Sequence, residues 1–424
     1  MAQESLSNEI LKIYEPYFLI FPDYYKVFNE LINNIIYKNN DGSFPLQYKL
    51  FYGLMASSTI GCENLLDDFI RIILILGGDK SWIEKGLKCE NIPEHIKGMA
   101  TINNILAHKP WIMDWRHFAS FKQGLSNFLF QSAIILTTIQ RFASIISGLN
   151  LIIHNDNIEK EKKNKKDKDS EQLEKEEVKI KEENNIKKGN KEIDDKDKKD
   201  EVRKRKKKLK AEIIEEQIQK VITSVKKNYT EIKYENEEEK KNLINRKEIF
   251  QKYMSDLIFS YSDFDPHIEK YLLTEDFNWK TNAKYYFIDN AGKEMDYLDK
   301  ELKTLENLSS KSIGNNFKIN IFKLRDAIEK YLTLIFGIND NEYNYHNNNL
   351  SMSVEIKRIV KKLACYPEQI REQELASCLE KINKEELVYL ILIVTSIKQK
   401  ISLTFFAKAF DDFKSIIINS KLDL

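Results

Sequence analysis

The sequence contains little cysteine, glycine or proline. Its 424 residues include 4 Cys, 13 Gly and 7 Pro. The four cysteines are widely scattered and form no CxxC pair, which argues against a disulfide-stapled secreted domain or a structural zinc site and favours a reducing compartment. Because an all-β fold needs many tight turns, the scarcity of glycine and proline favours helices.

The sequence also lacks a strong net charge and long apolar runs. With 67 Lys+Arg against 66 Asp+Glu, the formal net charge is +1, so a strongly basic nucleic-acid binder is excluded. The most apolar stretches, 128–139 and 387–395, are shorter than the roughly 20 residues that span a bilayer. The first residues lack the basic-then-apolar pattern of a signal peptide. We therefore expect no nucleic-acid partner and no membrane span, and we expect these stretches to be buried helices.

The composition changes abruptly near residue 155. Of the 56 residues at 155–210, 39 are charged, and such a segment cannot bury enough apolar area to offset its chain entropy. The sequence therefore predicts a helical domain at 1–154, a charged and largely disordered linker at 155–245, and a second helical domain at 246–424. The basic run RKRKKK at 203–208 leaves nuclear import open beside simple solvation.

Apolar residues recur at helical spacing on both sides of this linker. At 62–76, Leu65, Phe69 and Ile72 belong to an apolar stripe that Gly77-Gly78 terminates. Similar patterns predict helices at 23–37, 46–57, 93–106, 126–147, 246–261, 293–306, 318–336, 351–364, 368–381 and 384–410, and one more after Pro110. No strand-like alternation competes with them, so the predicted fold class is all-α.

Several strings occur in a specific order along the chain. LILGGDKSWIEKGL (74–87) precedes INNILAHKPWIM (102–113), and LRDAIEKYLTLIFGINDNEYNY (324–345) precedes CYPEQI (365–370). Together they resemble the sestrins, stress-inducible repressors of target-of-rapamycin (TOR) signalling. The resemblance implies two related helical halves, similar to the AhpD and carboxymuconolactone decarboxylase fold, in a cytoplasmic protein with the nucleus left open as a second location. The histidines form no HxxxH or HExxH arrangement, so we expect no metal site, and we expect no cofactor.

The family's N-terminal half is credited with reducing organic hydroperoxides through one cysteine, helped by a tyrosine two residues later and a histidine seven residues later. Cys62 takes the cysteine position, and the helper positions hold Asn64 and Phe69. A thiol needs a nearby base or cation to ionise at neutral pH, and Phe69 supplies neither. A buried structural cysteine is therefore favoured over an alkyl hydroperoxide reductase thiol, which stays as the alternative. His108 is expected to pack at a helix end rather than to act in catalysis.

In the second domain, the resemblance implies the leucine site of the animal sestrins. Arg325, preceded by Leu324, matches the arginine that holds the ligand carboxylate, and Glu385 matches the glutamate that holds its ammonium group. A pocket for a free amino acid needs such a pair of fixed charges. The lid falls on Ser309, Ser310 and Ser312, and the slot tryptophan falls on Cys378. The alternative is that Arg325 and Glu385 are ordinary surface charges.

The loop after the helix of Arg325 is either a partner surface or an ordinary solvated loop of Asn and Asp. Asn341 and Glu342 correspond to paired aspartates that contact the larger GATOR subcomplex in animal sestrins. The expected partner is therefore a GATOR-type complex of the TOR pathway. The sequence predicts a stress- and nutrient-responsive negative regulator that acts by protein binding and senses an amino acid such as leucine, with a Cys62 antioxidant enzyme as the alternative.

Overall fold

The structure is a computed structural model that describes residues 9–38, 44–121, 125–153, 246–255, 277–308, 320–338 and 345–422. The predicted linker at 155–245 lies entirely outside these residues, which resume at Arg246. Five predicted site residues also lie outside them: Ser309, Ser310, Ser312, Asn341 and Glu342.

Seven α-helices lie in the described residues before the charged segment. They are α1 (Glu9–Phe18), α2 (Pro22–Ile32, which continues as a π-helical turn over Asn33–Tyr37), α3 (Leu46–Ile60), α4 (Glu63–Ile75), α5 (Lys80–Lys85), α6 (Glu94–His108) and α7 (Ser126–Ile153). Gly77, with φ +68°, follows the end of α4 as the sequence predicts. The predicted helix after Pro110 is wrong: this segment forms two short 3₁₀ turns, Pro110–Ile112 and Trp115–Phe118.

After the charged segment, the described ranges contain eight α-helices. They are α8 (Arg246–Tyr253), α9 (Lys284–Ala291), α10 (Lys293–Glu306), α11 (Ile321–Ile335), α12 (Tyr345–Ser351), α13 (Val354–Cys365), α14 (Glu372–Leu379) and α15 (Lys384–Leu422). A π-helical turn at Trp279–Ala283 leads into α9. The described ranges contain no β-strand, which confirms the all-α class.

Two long helices, α7 and α15, form the centre of the core. Both are long and apolar enough to cross a membrane by length and composition alone. In each, 94% of the most apolar window of 18 residues is buried inside the protein, as in the core helix of a globular domain. The buried helices predicted for these stretches are therefore present and longer than predicted, and the absence of a membrane span stays a prediction.

The described residues up to Leu151 and those from Arg246 onward belong to one compact unit. Helix α10 contributes two buried carboxylates to it, Glu294 and Glu301, which are seven residues apart and so lie on one helix face. Glu301 forms a bidentate ion pair with Arg141 of α7, at 2.6 and 2.7 Å, with both side chains almost fully buried. A buried ion pair thus joins the two predicted domains, whose boundaries stay predictions.

Candidate functional site

Cys62 lies in the sharp connection between α3 and α4. Gly61 ends α3 in the left-handed region, with φ +71°, and Cys62 is the N-cap residue of α4. The Cys62 amide donates a hydrogen bond to the Ser57 carbonyl at 2.9 Å. Its side chain is buried, with a residue exposure of 3%. The thiol therefore sits at a helix N-terminus, as predicted, but without access to solvent.

Burial dominates the chemistry of this thiol. It raises the pKa of Cys62 to about 11, although hydrogen bonds with the Leu65 backbone and the Ser147 side chain act to lower it. The negative charge of Asp67 raises it further. With a pKa of about 11, only about one thiol in ten thousand is ionised at pH 7. In this conformation Cys62 is a poor nucleophile.

The two helper positions have structural contacts. Asn64 donates a hydrogen bond from Nδ2 to the Tyr14 hydroxyl at 3.1 Å, and that hydroxyl donates to Asn150 Oδ1 at 2.7 Å. Phe69 is fully buried, and its ring lies so close to Gly53 that a Cβ there would be 2.4 Å from it. Tyr14 was missed by sequence reasoning because 50 residues separate it from Asn64 and no local pattern connects them.

His108 ends α6 near the connection that holds Cys62. Its Nε2 lies 3.2 Å from the Thr59 carbonyl. Burial and the positive charge of Lys398 lower the pKa of His108 to about 4, so the imidazole is neutral at pH 7. Lys398 in turn donates a hydrogen bond from Nζ to the Leu106 carbonyl at 2.7 Å, and burial lowers the pKa of this amine to about 7. His108 thus has contacts typical of a helix-end packing residue.

Arg325 lies on α11 and faces α15. Its Nη1 donates to the Glu306 carbonyl at 2.5 Å, and its guanidinium lies 5.6 Å from the centre of the Phe322 ring. Burial raises the pKa of Tyr389 on α15 to about 12, while the charge of Arg325 and a hydrogen bond with it act in the opposite direction. The guanidinium and the buried phenol are therefore close neighbours. Leu324, next to Arg325, is buried with 2% exposure.

The first turn of α15 carries two adjacent glutamates that differ in exposure to solvent. Glu385 is exposed, and within the described ranges no ion pair joins it to Arg325. Glu386 is fully buried. Its carboxylate accepts a hydrogen bond from the Asn383 amide at 2.8 Å, and its own amide donates to Asn383 Oδ1 at 2.8 Å, which is a capping-box arrangement. Glu386, one turn before Tyr389, is thus the buried carboxylate in this turn.

Two other features of the second block of helices, Cys378 and a cleft, bear on this candidate amino-acid site. Cys378 is fully buried, and burial followed by the charge of Glu355 raises its pKa to about 12. A cleft of about 300 Å³ lies farther along α11 and α15, with Trp279, Glu329 and Lys400 in its wall. Neither Arg325 nor Glu385 lines it. In the part of the chain that the structure describes, no group of three His, Cys, Asp or Glu residues could hold a metal ion.

Comparisons with known proteins connect these features to one family. The family model described as "PA26 p53-induced protein (sestrin)" matches residues 2–413. Sestrin-2 of Bos taurus is 22% identical over 408 residues, which cover 92% of this chain and 83% of the relative. Sestrin-3 of Mus musculus is 23% identical over 403 residues, with 87% and 79% covered. The sestrin homolog of Drosophila melanogaster is 25% identical over 157 residues, with 36% and 31% covered.

Proposed function

Because the chain belongs to the sestrin family, we propose that it is a negative regulator of TOR signalling that binds a GATOR-type complex and responds to a free amino acid such as leucine. The site residues, the partner and the ligand are all part of this proposal. The arrangement of Arg325, Tyr389 and Glu386 supports it most directly. A regulator of this kind acts by recognition and needs no catalytic group.

The amino-acid site would use three groups from two helices. Arg325 would hold the ligand carboxylate, because a guanidinium presents paired N–H donors that match a carboxylate. Its neighbour Tyr389 and the buried carboxylate of Glu386 lie on the first turns of α15. Glu386, rather than the exposed Glu385, would face the ligand ammonium, because a charge in solvent adds little to recognition.

Thermal unfolding with and without leucine tests this site. Saturating leucine is expected to raise the melting temperature by about 2 °C or more, since a ligand that binds only the folded state stabilises it. Arg325→Ala should abolish the increase. An unchanged melting temperature of the parent chain at saturating leucine would contradict the leucine site.

The two adjacent glutamates supply a matched pair of variants. Glu386→Gln keeps a side chain that can cap α15 but removes the charge, so it should abolish the leucine effect. Glu385→Gln removes a charge from solvent and should leave the effect intact. If only Glu385→Gln abolishes it, the assignment of Glu386 is wrong while a leucine site remains.

Partner binding needs its own test. We propose that Asn341 and Glu342 contact the GATOR-type complex, as the family resemblance implies. Affinity purification of the full chain with and without an Asn341→Ala, Glu342→Ala double variant should recover the complex only with the parent chain. Equal recovery with both would contradict this surface, and recovery with neither would contradict the partner.

A hydroperoxide reductase centred on Cys62 is the second candidate. The Ser147 hydroxyl and the Leu65 backbone near the thiol, both of which act to lower its pKa, favour it. Burial has the larger effect, so we expect peroxide consumption close to that of a Cys62→Ser variant. A clear rate that depends on Cys62 would favour catalysis over binding.

A further inference from the structure

A small cavity lies between α7, α13 and α15, and seven of its eight lining residues are polar. It offers about 10 Å³ to the centre of a water molecule. Its wall carries Gln140, Arg141 and Ser144 of α7 together with Thr395, Lys398 and Gln399 of α15. An apolar cavity of this size stays empty, whereas a polar one of at least about 10 Å³ holds water if it offers two to four hydrogen-bonding partners. The polar groups of this wall therefore decide its content.

Arg141 leaves one of its five N–H donors unused. Nη1 donates to Glu301 Oε2 at 2.6 Å and to Gln399 Oε1 at 3.2 Å, and Nη2 donates to Glu301 Oε1 at 2.7 Å and to the Tyr24 hydroxyl at 3.0 Å. These contacts use all four N–H groups on the two terminal nitrogens. The buried Nε–H has no acceptor among the described residues. One buried donor thus remains on Arg141, which is a lining residue of the cavity.

Gln140 leaves one acceptor unused. Its Nε2 donates to the Asn103 carbonyl at 2.9 Å and to Asn103 Oδ1 at 2.8 Å. Asn103 Nδ2 donates to Thr59 Oγ1 and to the Met55 carbonyl, so its Oδ1 is an acceptor and the Gln140 amide cannot be turned around. The buried Gln140 Oε1 therefore needs a donor that no described residue supplies. A buried acceptor left unpaired destabilises the folded chain.

We propose that this cavity is a binding site for one water molecule, which donates a hydrogen bond to Gln140 Oε1 and accepts one from Arg141 Nε–H. The second O–H of this water has an acceptor in the same wall. Thr395 Oγ1 donates its own hydrogen to the carbonyls of Ile391 and Leu392, which leaves its lone pairs available. The water is then a bridge between α7 and α15.

The donor and acceptor balance selects water over an ion. A chloride ion accepts hydrogen bonds only and would be repelled by Gln140 Oε1. A cation would lie beside two basic side chains, Arg141 and Lys398, which both line the cavity. Within the described ranges, the only carboxylate that forms an ion pair with either of them is Glu301, which pairs with Arg141. Water both donates and accepts hydrogen bonds, as this pair of groups requires.

A crystal structure of the full chain tests the site directly. A water peak within 2.7–3.2 Å of both Gln140 Oε1 and Arg141 Nε is expected. The absence of a peak in well-ordered density, or a peak that refines as an ion, would overturn the proposal.

A cavity-filling variant tests it in solution. Ser144→Thr keeps the hydroxyl and adds one methyl group to the wall, which displaces the water and should lower the melting temperature by about 2 °C or more. Ser147→Thr, one turn along α7 and outside the cavity wall, is the control for the same change on this helix at a position where the hydroxyl contacts Cys62 instead of the cavity. A higher melting temperature for Ser144→Thr than for this control would show that filling stabilises a dry cavity, and would overturn the proposal.

Discussion

Lys398 gives the sharpest test of the physical reasoning, because its amine is buried where the sequence predicts only an apolar helix. Its residue exposure is 8%, and burial lowers its pKa from 10.5 to about 7. Below pH 7 the amine is charged in both the folded and the unfolded chain, so the full cost of burying the charge is present. Above pH 7 the folded chain loses this proton first, so stability rises with pH until about 10.5.

The substitution Lys398→Met removes this cost. The difference between 10.5 and about 7 corresponds to roughly 5 kcal/mol at low pH, from which about 1 kcal/mol is lost with the hydrogen bond to the Leu106 carbonyl. That carbonyl stays paired, because Ser402 also donates to it at 2.9 Å. We therefore expect the variant to be more stable than the parent by a few kcal/mol at pH 6 and slightly less stable at pH 10.

Urea unfolding of parent and variant between pH 6 and pH 10 measures this difference directly. His108, Arg141 and the Cys365 thiol also lie near Lys398, but most of their own titration is common to both proteins and cancels. Lys400→Met is a control on the same helix, because Lys400 pairs with Glu306 near the surface and such pairs contribute less than about 1 kcal/mol. A Lys398→Met effect that does not change with pH would refute the reasoning.

Three further predictions concern the core. Arg141→Met and Glu301→Gln should each destabilise the chain by about 3–5 kcal/mol in urea unfolding, because each single change leaves the partner buried without its counter-charge. The double variant should be destabilised by less than the sum of the two, and additive effects would contradict this. Gly53→Ala should lower the free energy of unfolding by about 1–3 kcal/mol, because the added methyl group clashes with the Phe69 ring. A second change, Phe69→Leu, should recover part of that stability, and no recovery would show that the clash is not with Phe69. Cys62 should react with a thiol reagent only as fast as the protein unfolds, and rapid labelling of the native chain would show that the thiol is accessible.

The helices were predictable wherever an apolar stripe repeats over several turns. Helix α10 has the predicted bounds, Lys293–Glu306, because its buried positions recur at helical spacing. The segment after Pro110 was mispredicted, since Trp111 and Phe118 are buried from two separate 3₁₀ turns and show no helical period. Phe118, for example, packs edge-on against Phe406 of α15 at 5.1 Å. Periodicity cannot report such a contact across the chain.

The candidate sites were less predictable for the same reason. A motif match assigns a role to Glu385, whereas the buried carboxylate in this turn belongs to the adjacent Glu386, which forms a capping box with Asn383. One residue along a helix rotates a side chain by about 100°, so the choice depends on packing that no local pattern contains. The contact of Tyr14 with Asn64 and the burial of Lys398 likewise arise only when distant segments meet.

The buried charges of α10 have a consequence for how this protein can be divided. A polypeptide that ended after α7 would carry the buried Arg141 without Glu301, and the complementary fragment would carry the buried carboxylates of Glu294 and Glu301 without Arg141. Each fragment alone would then be poorly soluble, while the two expressed together would reassemble. Chimeras that exchange halves between relatives should fold only when both halves keep these paired charged residues.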